Sequence, residues 1–234
     1  PALKLNHGKL SGQTAIAAFA ASADYALLPA QQDGVPHLML VALDQPGVSR
    51  VLERTIDNSR AYAVLQFDVA AATSLLSGDA ASAKLWELAS VAALVTAFEQ
   101  VGGAQACLDM ARDYALERKA FGQAIGRFQS IKAKLADMYV RIEIARGCAL
   151  DALAALEQGD PSWTALAAAA RLGATEAYEI SARENIQTHG AIGVTWEAMP
   201  HHHYRRSRAL AVELGCAAFW RERLLSEASL DAAA

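Results

Sequence analysis

The spacing of apolar positions changes near residue 77. Before it, apolar residues come in short runs: Gln13 to Ala20, Ala26 to Pro29, His37 to Val41, Val48 to Leu52 and Ala61 to Phe67. The turn signals Ser11-Gly12, Asp33-Gly34 and Pro46-Gly47 separate them. Runs of this length with no helical segment between them predict strands, and so a small antiparallel sheet or barrel over residues 1–76. The alanine content works against this, since alanine is a poor strand former. From Gly78 onward the period is 3.6. Leu85, Leu88, Ala92, Val95, Phe98, Leu108 and Ala111 form one apolar stripe, with Glu87, Glu99 and Asp109 off it. A second helix runs from Ile131 through Leu135, Met138, Ile142, Ala145 and Ala149 to Leu156, ending at the Gly159-Asp160-Pro161 breaker. Asp160 and Ser162 are placed to cap a third helix, from Ala165 to about Ile186. Two shorter helices, Pro200 to Leu214 and Cys216 to Glu227, follow the glycines at 190 and 193. Long, alanine-rich helices with short connections predict an antiparallel four-helix bundle over residues 77–234, because small side chains let helix axes approach closely. The expected fold class is α+β.

Composition narrows the partners. The 234 residues are 53% hydrophobic, which excludes intrinsic disorder. With 21 basic against 25 acidic residues the net charge is -4, which leaves no basic footprint for nucleic acid. Cys107, Cys148 and Cys216 are far apart and form no CxxC pair, so a reducing cytoplasm is expected rather than a disulfide framework or zinc knuckle. The most apolar run, Ala89 to Ala97, is closed off by Glu87 and Glu99 and falls short of the ~18 apolar residues of a membrane span. No signal peptide is visible, and the first residue is Pro1 rather than Met, as in a fragment or processed product.

Two segments carry candidate chemistry. In Glu117-Arg118-Lys119-Ala120-Phe121-Gly122-Gln123-Ala124-Ile125-Gly126-Arg127-Phe128-Gln129, a cation, an aromatic and a glycine fall in the bend between two helices. Arg118 can give forked hydrogen bonds to a pyrophosphate, Phe121 offers a stacking face, and Gln129 supplies a donor and an acceptor. An ordinary interhelical turn with Phe121 in the core fits the same residue types. In Gln187-Thr188-His189-Gly190-Ala191-Ile192-Gly193-Val194-Thr195-Trp196-Glu197, glycines just after a helix let a ligand approach the backbone. A helix C-terminal cap explains Gly190 equally well.

Taken in this order, the segments resemble the acyl-CoA dehydrogenase family, which carries R-K-x-F-G-x-x-I-x-x-F-Q and later Q-x-x-G-G-x-G-F. The first stretch is matched at Arg118, Lys119, Phe121, Gly122, Ile125, Phe128 and Gln129. The second is matched at Gln187, Gly190 and Gly193, with Ala191 in place of the second glycine and Val194 in place of the aromatic. The likeness covers about residues 9 to 228. It implies a middle β-domain and a C-terminal bundle, with the family's N-terminal helical domain not represented in this chain. It also implies FAD as cofactor and an acyl-CoA substrate, dehydrogenated by a carboxylate base at one carbon and hydride loss from the next.

The resemblance implies that Arg118, Phe121, Gly122, Gln129, Gln187, Gly190, Ala191 and Gly193 bind the ADP part of an FAD held mainly by a neighbouring subunit. Such residues call for a sister subunit, or for a second copy in a dimer of dimers. Of the family's contacts to the flavin ring, a Tyr-x-x-Thr stretch would lie before Pro1. Its Trp-Ile-Thr or Trp-Ile-Ser stretch against the flavin ring should follow Gly12-Gln13, where this chain has Thr14-Ala15-Ile16-Ala17-Ala18. One family position for the base falls on Leu214, between Glu213 and Gly215, and the other falls on Ala92. These losses imply a non-catalytic partner that completes the FAD site of a sister chain. The alternatives are a homomeric enzyme with Glu213 as base, and an interaction module without flavin. The stretch Gly193 to Glu197 followed by Tyr204-Arg205-Arg206 is similar to a bacterial subgroup acting on steroid side chains and other bulky acyl-CoA thioesters as paired subunits.

The remaining eye-catching residues read as ordinary. His201-His202-His203 lack the i, i+4 spacing of a helical zinc pair, so no metal is expected. Arg205, Arg206 and Arg208 fit either CoA phosphates or ion pairs. Glu143 and Glu197 read as pairing groups, and Cys216 as a packing residue.

Overall fold

A computed structural model describes residues 3–231, with side chains through residue 227; Pro1 lies outside the described residues. The fold is α+β, with a β-sheet region followed by a helical domain. Two compact units divide the chain, Pro1–Leu88 and Ala89–Ala234.

The sheet unit holds β1 (Leu3–Asn6), β2 (Lys9–Gln13), β3 (Ala17–Ala18), β4 (Tyr25–Gln32), β5 (Val35–Ala42), β6 (Val48–Glu53), β7 (Tyr62–Ala71) and β8 (Thr73–Ser77). They form one sheet in the order β3-β7-β2-β1-β4-β5-β8, with β6 also paired to β7. Every pairing is antiparallel except β1 with β4, which corrects the expectation of a purely antiparallel sheet. The reason is connectivity: β1 and β2 form a hairpin, β2 takes β7 on its free edge, and β1 is left open to β4. Three strands went unread: β1 and β8 have too few alternating positions to register as runs, and β2 holds the Ser11-Gly12 pair that was expected to be a turn. The predicted run Gln13 to Ala20 is broken in two. A register shift between Leu10 and Gly12 bends β2, and Phe19 sits at φ 63, where an extended strand cannot continue. Leu10, Met39, Val41, Ala63 and Ala70 are fully enclosed and form the core of this unit.

The helices are α1 (Gly78–Glu117), α2 (Gln129–Gln158), α3 (Trp163–His189), α4 (Pro200–Leu210) and α5 (Ala217–Asp231), one for each of the five helical segments expected. A two-stranded hairpin, β9 (Lys119–Ala120) and β10 (Gln123–Ala124), joins α1 to α2. The apolar stripe predicted on α1 holds at Phe98, Leu108 and Ala111 and fails at Leu88 and Val95. Val95 is 64% exposed, and the inward positions are Leu94, Ala97, Val101, Ala104, Cys107, Leu108 and Ala111. Size misled the pattern, since this seam packs through small residues: a Cβ on Gly103 would come within 2.5 Å of the Tyr178 ring. By length and composition α1 is also apolar enough to cross a membrane, with an 18-residue window of mean hydropathy 1.3. The expectation of no candidate span looked only at an unbroken apolar run. The inward face of α1 instead packs with Met138 and Ile142 of α2 and Ala174 and Ala177 of α3.

Local signals set the helix ends. Gly159 closes α2 at φ 69, its N–H reaching the carbonyls of Ala155 and Leu156. The Asp160 carboxylate accepts the Ser162 backbone N–H at 2.9 Å, whereas the Ser162 side chain makes no capping bond, which corrects half of that prediction. Helix α4 stops at Leu210 rather than Leu214, because Leu214 and Gly215 take φ 60 and 105.

Candidate functional site

The bend after α1 is a tight hairpin. Gln123 pairs with Ala120 and Ala124 with Lys119, leaving Phe121 and Gly122 as its two central residues. Both have positive φ, 51 and 80, as the mirror-image turns that suit hairpin twist require. Gly122 adopts this freely, whereas an aromatic in the left-handed region is uncommon. Its ring stands 94% exposed, edge-on to Phe128 with centroids 6.2 Å apart. The alternative with Phe121 in the core is therefore excluded. Arg118 and Gln129 are exposed on either side. The base of the hairpin is fixed by the Arg118 N–H to Tyr114 O bond and the Ile125 N–H to Arg118 O bond, both 2.8 Å. Gly126 lies against α1, where a Cβ would sit 3.0 Å from the Ala115 carbonyl.

The second motif closes α3. Gln187 is exposed on the last turn, and Gly190 takes φ 68, ψ -144, a conformation open essentially to glycine alone. Ala191 is exposed in the 3-10 turn Gly190–Val194. Gly193 is buried there, where a Cβ would come within 3.0 Å of the Ile186 carbonyl and 3.1 Å of His189 Cβ. Both motifs meet at one end of the helical unit. The Tyr114 ring, one turn before Arg118, stacks on His189 with centroids 4.2 Å apart. The His189 ring shares a 2.9 Å hydrogen bond with the Asn185 carbonyl. Neither Tyr114 nor His189 was singled out in the sequence. The sign to look for was an aromatic and an imidazole, each one turn from a motif that must converge.

The base positions look different. Glu213 is half-buried in the turn after α4, and Leu214 is 44% exposed in a left-handed conformation. A buried arginine that the sequence reading missed organises this turn. Arg171, 1% exposed, donates through Nη2 to the carbonyls of Leu210 and, at 2.8 Å, Glu213. Through Nη1 it donates to Gln100 Oε1 and, at 3.1 Å, to Thr175 Oγ1. Burial lowers its guanidinium from the ordinary arginine range to about 10, opposed by the charges of Glu213 and Glu99. Ala92, the other base position, offers only a methyl, and its carbonyl accepts the Thr96 hydroxyl at 2.7 Å.

In the sheet unit, Thr14 to Ala18 line a cleft of about 510 Å³ together with Tyr25, Leu27 and Leu28. The Thr14 hydroxyl accepts the Leu65 N–H at 3.0 Å. The polar side chains in its lining are Gln13, Thr14, Tyr25 and Gln31, and no charged residue lines it. The bundle end fits the ADP part of FAD through its exposed guanidinium, carboxamides and glycine backbone.

The arginines of α4 resolve into local partners. Arg206 pairs with Glu99, Arg208 with Glu179, and Arg205 lies over the Trp196 ring at 5.2 Å. His201 packs edge-on to Trp196, and His203 shares a 3.1 Å hydrogen bond with the Tyr178 hydroxyl. Glu143 pairs with Arg146 at 3.2 Å within α2.

The C-terminal domain of acyl-CoA dehydrogenases matches residues 85–228. The chain belongs to the acyl-CoA dehydrogenase family. Members of this family are FAD-dependent. Acyl-CoA dehydrogenase IpdE2 of Mycobacterium tuberculosis is 43% identical over 124 residues, covering 53% of this chain and 37% of the relative. Acyl-CoA dehydrogenase FadE34 of the same organism is 38% identical over 136 residues, 57% of this chain and 19% of that one. Among solved structures, a variant of the Tcur3481-Tcur3483 steroid acyl-CoA dehydrogenase superposes with a TM-score of 0.88 at 29% identity, over 100% of this chain and 63% of that one. The ChsE4-ChsE5 complex from Mycobacterium tuberculosis superposes with a TM-score of 0.85 at 24% identity, over 97% and 62%, a likeness of fold alone. This chain spans less than two thirds of the length of each.

Proposed function

We propose that this chain is the non-catalytic subunit of a paired acyl-CoA dehydrogenase, presenting the end of its helical unit to an FAD held mainly by a sister subunit. Phe121 carries this reading: a bulky aromatic kept in a left-handed turn and almost wholly exposed has no use within the chain and is suited to stack on a ligand from outside. Arg118 binds the pyrophosphate through forked hydrogen bonds, Gln129 and Gln187 supply carboxamide donors and acceptors, and the backbone at Gly190 and Ala191 admits close approach. Gly122 and Gly193 hold the two turns that present these groups. Bound FAD supplies the hydride acceptor for the α,β-dehydrogenation of an acyl-CoA thioester.

The absence of a carboxylate at Leu214 and Ala92 supports a base on the sister chain, and Thr14 to Ala18, without the family's indole and hydroxyl against the flavin ring, supports the same reading. The likeness to a structure named as a pair of chains and as a steroid enzyme supports a heteromeric partner and a bulky acyl-CoA substrate. The test uses the purified pair. Glu213→Gln leaves turnover within about twofold on this account, while Arg118→Ala weakens FAD retention by about tenfold to a hundredfold, the effect of losing a charge-assisted hydrogen bond. Abolished turnover in Glu213→Gln with FAD retained overturns the account and assigns Glu213 as the base.

A further inference from the structure

The contact that joins the two motifs has chemistry of its own. The Arg118 N–H bond to the Tyr114 carbonyl carries the helical geometry of α1 one residue past its end, so the Tyr114 and Arg118 side chains, four residues apart, lie on one face. His189 stacks on the Tyr114 ring and directly precedes Gly190, where the backbone is open to close approach. The imidazole is oriented by its own helix. A carbonyl oxygen only accepts, so the 2.9 Å bond to the Asn185 carbonyl fixes a proton on Nδ1. Nε2 then carries the lone pair of the neutral ring, and a further proton can be taken up only there. Among the described residues Nε2 has no hydrogen-bond partner, and it is not enclosed, which leaves it reachable from outside. The surrounding charges favour an anion. Asp113 and Glu184 are committed to ion pairs, and Glu117 stands against the three exposed cations Arg118, Lys119 and Arg127.

We propose that His189 is a further ligand to the FAD pyrophosphate: protonated at Nε2, it donates a charge-assisted hydrogen bond to a phosphate oxygen beside Arg118. The inference rests on the reading that the ADP part of FAD binds at this end of the helical unit, and it adds a dependence on pH. Histidine is the side chain that ordinarily changes charge between about pH 5 and 8, whereas arginine and a pyrophosphate stay charged throughout. The paired enzyme then holds FAD more tightly at pH 6 than at pH 8.

The experiment titrates the FAD-stripped pair with FAD at pH 6 and at pH 8, following flavin fluorescence, for the wild type, His189→Gln and Arg118→Ala. The wild type should bind about tenfold more tightly at pH 6, the effect of one charge-assisted hydrogen bond. His189→Gln should remove that difference by weakening binding at pH 6, while Arg118→Ala should weaken binding at both pH values and keep the difference. In case His189→Gln misfolds, the wild-type pair provides a second measurement. Diethyl pyrocarbonate, which acylates a free imidazole nitrogen, should modify His189 in the FAD-stripped pair and be blocked by bound FAD, as read by peptide mass spectrometry. A loss of affinity in His189→Gln that is absent, or equal at both pH values as a merely structural role would make it, overturns the proposal and leaves the FAD reading standing. So does modification of His189 that is the same with and without FAD. FAD binding untouched by Arg118→Ala overturns both.

Discussion

Phe121, Gly193 and the cysteines show how single residues are set by their surroundings. Gly193 has no room for a methyl, with the Ile186 carbonyl and His189 Cβ at 3.0 and 3.1 Å from its would-be Cβ. Gly193→Ala should therefore destabilise the folded chain by about 1–3 kcal/mol, the usual effect of overpacking, read as a lower midpoint in denaturant unfolding. The cysteines differ in reactivity. Burial pushes the Cys107 thiol up to about 12, whereas backbone N–H groups of Phe219 and Ala218 lower that of exposed Cys216. Iodoacetamide should modify Cys216 first and reach Cys107 only on unfolding, as mass spectrometry of timed aliquots will show. Residue types made the candidate ligands at 118, 121, 129 and 187 legible in the sequence. They did not reveal Arg171, because a lone arginine on an alanine-rich helix face looks the same whether it is solvated or buried against carbonyls.

At the level of elements, periodicity located every helix, but the inward face of α1 was misread in its first half. Val95 points outward while Ala97, Ala104 and Cys107 join Leu94 and Val101 in the seam, and a pattern weighted by hydrophobic size passes over its small members. The β1–β4 parallel pair was illegible for a related reason: pairing partners far apart in sequence leave no local signal. The α3–α4 seam makes a prediction of its own. His203, half-buried beside Tyr178, is held below its ordinary value of 6.5 by desolvation and by the neighbouring His202. The unfolded chain then takes up a proton more readily than the folded one, so this group's contribution is present above pH 6.5 and lost as pH falls through it. Unfolding midpoints at pH 7.5 and 5.5 should differ in the wild type, with the lower pH less stable, and the difference should shrink in His203→Gln.

For the whole molecule, the proposed function divides the two units unequally. The helical unit keeps an exposed constellation suited to the ADP part of FAD, and the sheet unit has a largely apolar cleft lined by the alanine-rich stretch Thr14 to Ala18. The motifs made the first half legible in the sequence. The second was visible only as missing residues, because a cleft is made by the absence of side chains. Bulky apolar groups on the outside of α2, among them Val140 and Ile144, are also consistent with a chain that works against a partner. Purifying this chain alone and together with its sister subunit, and measuring FAD per chain by absorbance alongside acyl-CoA dehydrogenase turnover, tests the central claim. The account predicts no retained FAD and no turnover for the lone chain, and FAD at one per pair with turnover in the complex. Stoichiometric FAD and dehydrogenase activity in the lone chain would contradict it.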